Sequence, residues 1–479
     1  MQRALKGDWI GNVDAIQDST TEELTALTKE AFVNCLQDLK KRWKLFGAGS
    51  AGCALANRLT ADGSNSVLLL EAGGLEDAAV QVPFFSAVLQ RTDIDWDYTS
   101  ERQLSASLSV DGQDWGKKHK VEILEFRMEN LGKLIYSIYR RLHGNINRLP
   151  RGKALGGSSS INHVIYARGN RKDYDNWASL YGAVGWSYND VLPDFISIET
   201  SYLGIDNGVK YKRYLRTHSV RAKKEVILCA GAIASAQLLM LSGIGPREHL
   251  ESFGVKNEGR PMKKPVLVLV SHLSHVLVPL VTLNPTTVEA GYLAGLIGIS
   301  QIYESYYKRK QGDDVLMIVP ILLRPNSSGF IRLKSTNPEE YPIIDPKFLT
   351  ATSDLDTLIE GSRIAVQTLT TQAMRNGNVT IWDIALPACE SAGPVWSEAY
   401  LRCFVQHTSL SGWHPCCTAP MGTHAQAVLD PRLRVLGGVK RLRVVDASSM
   451  PYLTTGNLNS PLMMMGHRAA AMIMEDNFQ

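Results

Sequence analysis

The sequence predicts an α/β fold in two lobes, one a parallel sheet flanked by helices, the other an antiparallel sheet with helices. Three observations predict it. A glycine-rich turn, Leu45 to Gly52, opens a helical stretch, Ser50 to Leu59, and is followed by an unbroken apolar run, Val67 to Leu70. Apolar run, small-residue turn and helix recur in the same order over Glu225 to Leu241. Val315 to Asp345 instead alternates apolar and polar residues, the period of antiparallel strands, with Ser327-Ser328-Gly329 as a turn.

Gly47, Gly49 and Gly52 stand at the G-x-G-x-x-G spacing. The first glycine permits the tight turn, the second lets a pyrophosphate approach the backbone, and the third lets the helix pack close to the sheet. Ala51, Leu55 and Leu59 recur at helical spacing, and the helix's first amides, from Ser50, would face the phosphates. Val67 to Leu70 reads as a strand buried on both faces. It ends at Glu71-Ala72, about 20 residues beyond the glycines, where a carboxylate can accept ribose hydroxyls. The stretch before Gly47 fits poorly, because Lys41-Arg42-Trp43-Lys44 puts charge where a central strand should be apolar. A capped helix over Ser19 to Arg42 is expected to displace most of that first strand.

Composition narrows the class. The chain has 479 residues, 44% of them hydrophobic, which is enough for two or three packed domains. Its net charge of +4 comes from scattered basic residues, so no nucleic-acid partner is expected. Seven cysteines form neither a disulfide framework nor a zinc pair, and Cys416-Cys417 reads as buried free thiols. The start, Met1 to Lys6, lacks the apolar core of a secretory signal. Val266 to Leu283 is long and apolar but carries His272, His275 and Pro279, so it reads as buried strand or core helix. A soluble protein with no integral membrane segment and no metal site is expected; its location is left open.

Farther along, Lys117 to Leu142 shows a basic helical pattern best read as a packed surface helix. Pro150 to Asn162 (PRGKALGGSSSIN) sets Gly156-Gly157 beside the donors Ser158 to Asn162, a place for backbone to approach a ligand. Near the C-terminus stand Trp413-His414-Pro415, then Leu442 to Ser448, then Gly456-Asn457-Leu458-Asn459-Ser460-Pro461. Ser460 as cap and Pro461 at the first position predict a helix over Leu462 to Met474.

Four blocks together, Gly47 to Gly74, Pro150 to Trp177, Gly231 to Pro246 and Trp413 to Pro461, resemble the glucose–methanol–choline (GMC) oxidoreductases, and most closely their insect glucose-dehydrogenase-like members. The resemblance implies an FAD-binding Rossmann-like lobe and a substrate lobe. The divisions expected are an extension over 1–42, an FAD-binding part over 43–262 with an insertion near 111–145, a substrate part over 263–404, and a return to the FAD lobe over 405–479. It implies FAD contacts at Gly47, Gly49, Ser50, Ala51, Gly52, Glu71, Ala72, Arg151, Gly157, Ser158, Asn162, Trp413, Asp446, Ala447 and Asn459. The catalytic pair it implies is His414 with Asn457. An imidazole can take a hydroxyl proton at neutral pH while hydride leaves the carbon for the flavin. The partners implied are an alcohol or sugar and, as electron acceptor, oxygen or a quinone.

Departures from the family pattern accompany the match. Leu203-Gly204-Ile205 reaches Val209 within a few residues where the family has a long segment, and Arg260-Pro261-Met262 leads straight to Lys263-Lys264-Pro265. Two alternatives therefore stand beside the alcohol oxidoreductase: an impaired copy that binds flavin weakly or not at all, and a lyase using the same fold.

Overall fold

The computed structural model describes residues 43–63, 65–76, 80, 86, 89–109, 146–200, 222, 224–255, 266–274, 300–310, 312–313 and 318–478. The readings of a helix over Ser19 to Arg42, of Lys117 to Leu142, and of the junctions at 203–211 and 260–265 lie outside the described residues, as do His275 and the side chain of His272.

In chain order the elements are β1 (Trp43–Phe46), α1 (Ser50–Thr60), β2 (Val67–Leu70), β3 (Tyr98–Thr99), β4 (Arg148–Leu149), α2 (Arg171–Ser179), α3 (Tyr188–Thr200) and β5 (Val226–Leu228). They continue with α4 (Gly231–Leu241), β6 (Val266–Ser274), β7 (Gly329–Arg332), β8 (Ile343–Asp345), α5 (Thr352–Leu369), α6 (Glu398–Thr408), β9 (Ser409–Cys416), β10 (Leu442–Val444) and α7 (Asn459–Phe478). Short helical turns fill several connections.

One sheet is parallel, in the order β10-β5-β1-β2. The first strand exists despite Lys44. Trp43 to Phe46 pair in register with β2 on one side, and Lys44 to Phe46 pair with β5 on the other. All four side chains are buried, Lys44 among them. Two-sided backbone pairing and the burial of Trp43, Leu45 and Phe46 outweigh the cost of one buried lysine. The expectation for β2 also needs correction. Among the described residues it is an edge strand, and its side chains are half-buried rather than covered on both faces.

Helix α4 starts at Gly231, four residues earlier than Ser235, directly off β5. Helix α2 is closed by a capping box between Asn170 and Asp173. Helix α7 begins at Asn459, one residue before the expected cap Ser460, and runs past Met474 to Phe478. It lies against α1 so closely that a Cβ on Gly466 would come within 2.3 Å of the Ala51 carbonyl oxygen.

The second sheet is antiparallel, in the order β8-β7-β6-β9. Gly329 is not in the turn. It is the first residue of β7, and the connection to β8 comes after Arg332. Leu355, Leu358 and Ile359 of α5 and Leu401 and Val405 of α6 bury against Ile331 and Ile344 of this sheet. Residue 405 lies within α6, and β9 pairs with β6, so the chain rejoins the parallel sheet only at β10. Four cysteines are paired, against the free-thiol reading of Cys416-Cys417: Cys416 bonds to its neighbour Cys417, and Cys389 bonds to Cys403. The first bridge joins adjacent residues and the second links α6 to the turn before it, a proximity that spacing in the sequence does not show.

Candidate active site

The carboxyl ends of β1, β2, β5 and β10 open on one cavity of about 390 Å3. Crevices of this kind are where open parallel sheets take their ligands. On the β1 side the turn is braced by Glu71. Its carboxylate accepts the Ala48 N–H at 2.8 Å and the Gly73 N–H at 3.0 Å. Burial raises the Glu71 pKa, and those amides pull it the other way. Gly49 is the N-cap of α1 and provides no side-chain cap, which leaves first-turn amides facing the cavity.

The serine-rich block meets this turn directly. Gly156 donates to the Ala48 carbonyl at 2.8 Å, and a Cβ on Gly157 would lie 2.8 Å from the Gly49 Cα. Ser158 Oγ accepts from Gly152 at 3.1 Å, and Asn162 Oδ1 accepts from Val164 at 2.9 Å. From the C-terminus, Asn459 at the start of α7 accepts from Ser50 Oγ at 2.5 Å. Asp446, after β10, accepts from Gly231 N and Ser235 Oγ of α4 with one oxygen and from Ser448 with the other. It ties the two strand–turn–helix units together.

His414 lies on β9 and Asn457 in the loop before α7. The amide nitrogen of Asn457 is 3.1 Å from His414 Nε2. One edge of the imidazole faces the cavity, and protein surrounds the rest. Burial, then the nearby Arg151 guanidinium and His163, push the His414 pKa down to about 3. The imidazole is therefore neutral at physiological pH and able to accept a proton. Arg151, whose own pKa burial lowers to about 10, donates to the Trp413 carbonyl, and the Trp413 indole donates to the Arg148 carbonyl at 3.2 Å.

Every site residue expected from the sequence lines this cavity except Gly52: Gly47, Gly49, Ser50, Ala51, Glu71, Ala72, Arg151, Gly157, Ser158, Asn162, Trp413, His414, Asp446, Ala447, Asn457 and Asn459. Gly52 lies beneath the turn, where a Cβ would meet the Gly47 carbonyl oxygen at 2.0 Å. Sequence reasoning missed several lining residues. His163 sits in the cavity with Nδ1 2.7 Å from Ser86 Oγ and its ring 5.9 Å from that of Trp413. Its position directly after Asn162 was the only available signal. Trp96 and Tyr98, with their rings stacked, also line the cavity.

The residues match a published family. The GMC oxidoreductase N-terminal profile matches residues 45–213 and 204–276, and the C-terminal profile matches 325–466. The chain belongs to the GMC oxidoreductase family. The two N-terminal matches overlap at 204–213, the place where the sequence passes too quickly from Leu203 to Val209. Among GMC relatives, the Drosophila melanogaster glucose dehydrogenase (FAD, quinone) is 26% identical over 574 aligned positions, covering 90% of this chain and 86% of the relative. Human mitochondrial choline dehydrogenase is 27% identical, covering 89% and 88%, and Bombyx mori ecdysone oxidase is 25% identical, covering 90% and 81%. An alignment of 574 positions exceeds the 479 residues of this GMC chain, so relatives carry segments that it lacks. Two solved structures share the fold: a formate oxidase (18% identity, TM-score 0.63, covering 92% of this chain and 99% of the other) and a Chaetomium thermophilum FAD-dependent oxidoreductase (18%, 0.60, 92% and 100%).

FAD is the cofactor of the GMC family, and the cavity can be tested for it. At Gly49 and Gly231 nothing lies within 4 Å of an added Cβ, so both backbones face open space at the carboxyl ends of their strands. Two buried hydroxyls of lining residues, Tyr98 Oη and Thr454 Oγ1, have no hydrogen-bond partner among the described residues. Buried hydroxyls are rarely left so, and a polar ligand would satisfy them. The residues present fit a dinucleotide. No helix among the described residues is long and apolar enough to cross a membrane.

Proposed function

We propose that this GMC chain oxidises the CH–OH group of an alcohol or sugar, with His414 as base and Asn457 as its partner. The observation that carries the proposal is the 3.1 Å contact between Asn457 and Nε2 of an imidazole held neutral by burial and by Arg151. A neutral Nε2 carries a lone pair, and the Asn457 amide donates to it. A substrate hydroxyl that takes the place of this direct contact, with both side chains turned toward it from the cavity wall, would give its proton to Nε2 and take a hydrogen bond from the amide. That bond strengthens as the oxygen gains negative charge, and so stabilises the transition state more than the bound alcohol.

We assign FAD binding to the parallel-sheet lobe, 43–262 with the segment after β9, and the substrate side to the antiparallel lobe, which includes α6 and β9. Gly47, Gly49, Ser50 and the α1 amides would hold the pyrophosphate, Glu71 and Ala72 the adenosine side, and the turn from Gly157 to Asn162, with Asn459, the flavin side. FAD supplies the two-electron oxidant, and oxygen or a quinone would reoxidise it, as the names of the oxidase and quinone-linked relatives suggest. The α7 N-terminus adds a positive field to the cavity.

The test is an absorbance experiment. Purified protein should be yellow, and alcohol added without oxygen should bleach it. In His414→Ala the colour should stay and bleaching should slow by about 10²-fold or more. Normal bleaching in that variant would remove His414 from its role. A second reading, a copy that keeps the fold but loads flavin poorly, is favoured by the shortened segment at 204–213. Colourless folded protein whose melting temperature does not rise with FAD would select it.

A further inference from the structure

Apart from β9, the residues of the antiparallel lobe that line the cavity among the described residues are apolar. Ile321 and Leu323, in the segment leading to β7, and Pro338, in the β7–β8 connection, all line it. Ile321 is 54% exposed and Leu323 43%, and across the opening Ile165 of the other lobe is 43% exposed. Single exposed aliphatic residues are ordinary on a protein surface, but these three line one opening. Trp96 and Tyr98, whose rings stack at 5.9 Å, line the same cavity.

We propose that the alcohol oxidised here has a predominantly apolar body, aliphatic or aromatic, and is neither a sugar nor a choline-like cation. This rests on the alcohol-oxidising reading above and goes further by naming the substrate class. A sugar brings several hydroxyls, each needing a partner when desolvated. The antiparallel-lobe wall presents aliphatic carbon instead. A quaternary ammonium is held best where a carboxylate balances its charge beside an aromatic face. Among the described residues the only carboxylates lining the cavity are Glu71 and Asp446, and both are held by amides at the cofactor turns. An apolar body loses nothing by leaving water for such a wall, and its one hydroxyl is met by His414 and Asn457.

The experiment uses FAD-loaded protein without oxygen and four probes: benzyl alcohol, 1-octanol, glucose and choline. The two apolar alcohols should bleach the flavin at least about tenfold faster at equal low concentration. Leu323→Asn, and separately Ile321→Asn, should slow the apolar probes about tenfold while leaving flavin colour unchanged. Faster bleaching by glucose or choline, or no effect of both variants, overturns the proposal and leaves the alcohol-oxidase reading standing. Should no probe bleach the flavin, that reading fails instead. The substrate class is then decided by melting temperature: a rise with benzyl alcohol but not with glucose supports it, and the absence of any such rise overturns it.

Discussion

The amide nitrogen of Asn457 and Nε2 of His414 are 3.1 Å apart, although one residue sits on a strand of the antiparallel sheet and the other precedes the last helix. The contact spans the seam between the two sheets. In the proposed reaction His414 and Asn457 can act on one hydroxyl only while β9 and the start of α7 keep their distance.

Because the His414 pKa is pushed down to about 3, bleaching by an alcohol should stay flat from about pH 8 to about pH 5 instead of falling near 6.5. Arg151 is one cause, and a positive charge disfavours the imidazolium. Removing it in Arg151→Met should move the acid limb upward. A limb that stays in place would show that Arg151 does not set the basicity of His414.

Folding stability should follow the same residue. The folded imidazole has the lower pKa, so below 6.5 the unfolded chain takes up a proton that the folded chain refuses. Stability from this group is present above 6.5 and is lost as pH falls toward 3. Urea midpoints measured at about pH 7.5 and about pH 4.5 should lie closer together in His414→Gln than in the parent.

Gly49 and Gly466 should separate folding from cofactor binding. A methyl at Gly49 meets open space, so Gly49→Ala should leave the melting temperature of the cofactor-free protein nearly unchanged while abolishing its rise with FAD. A side chain at Gly466 runs into the Ala51 carbonyl, so Gly466→Val should lower stability itself, by about 1–3 kcal/mol or more. Calorimetry of both variants with and without FAD checks the pair.

Arg443 of β10 is buried and bridges Glu225 at 2.6 Å and Asp476 of α7 at 2.6 Å. Arg443→Ala leaves Glu225 without its cation, while Asp476 keeps Arg432 at 2.9 Å, and should cost about 3 kcal/mol by denaturant melt. A loss below about 1 kcal/mol would mean water replaces the arginine at little cost.

The glycine turn, Glu71 and the helix after them were legible because each is set by residues close in sequence. So was the serine-rich block, whose composition already marked a close backbone approach. What the chain order hid depended on distant neighbours. Trp43 to Phe46 become a strand because β5, about 180 residues later, supplies the second edge, while β2 has no second neighbour among the described residues. The pairing of Cys389 with Cys403, and the arrival of His163 beside Trp413, likewise required the folded chain.

The Ser50–Asn459 hydrogen bond has a consequence for how the protein is made. A chain still on the ribosome can form the glycine turn early, but it has no partner for Ser50 until residue 459 emerges. On the proposed site, a cradle for the nucleotide is therefore complete only when the last helix has joined the glycine turn.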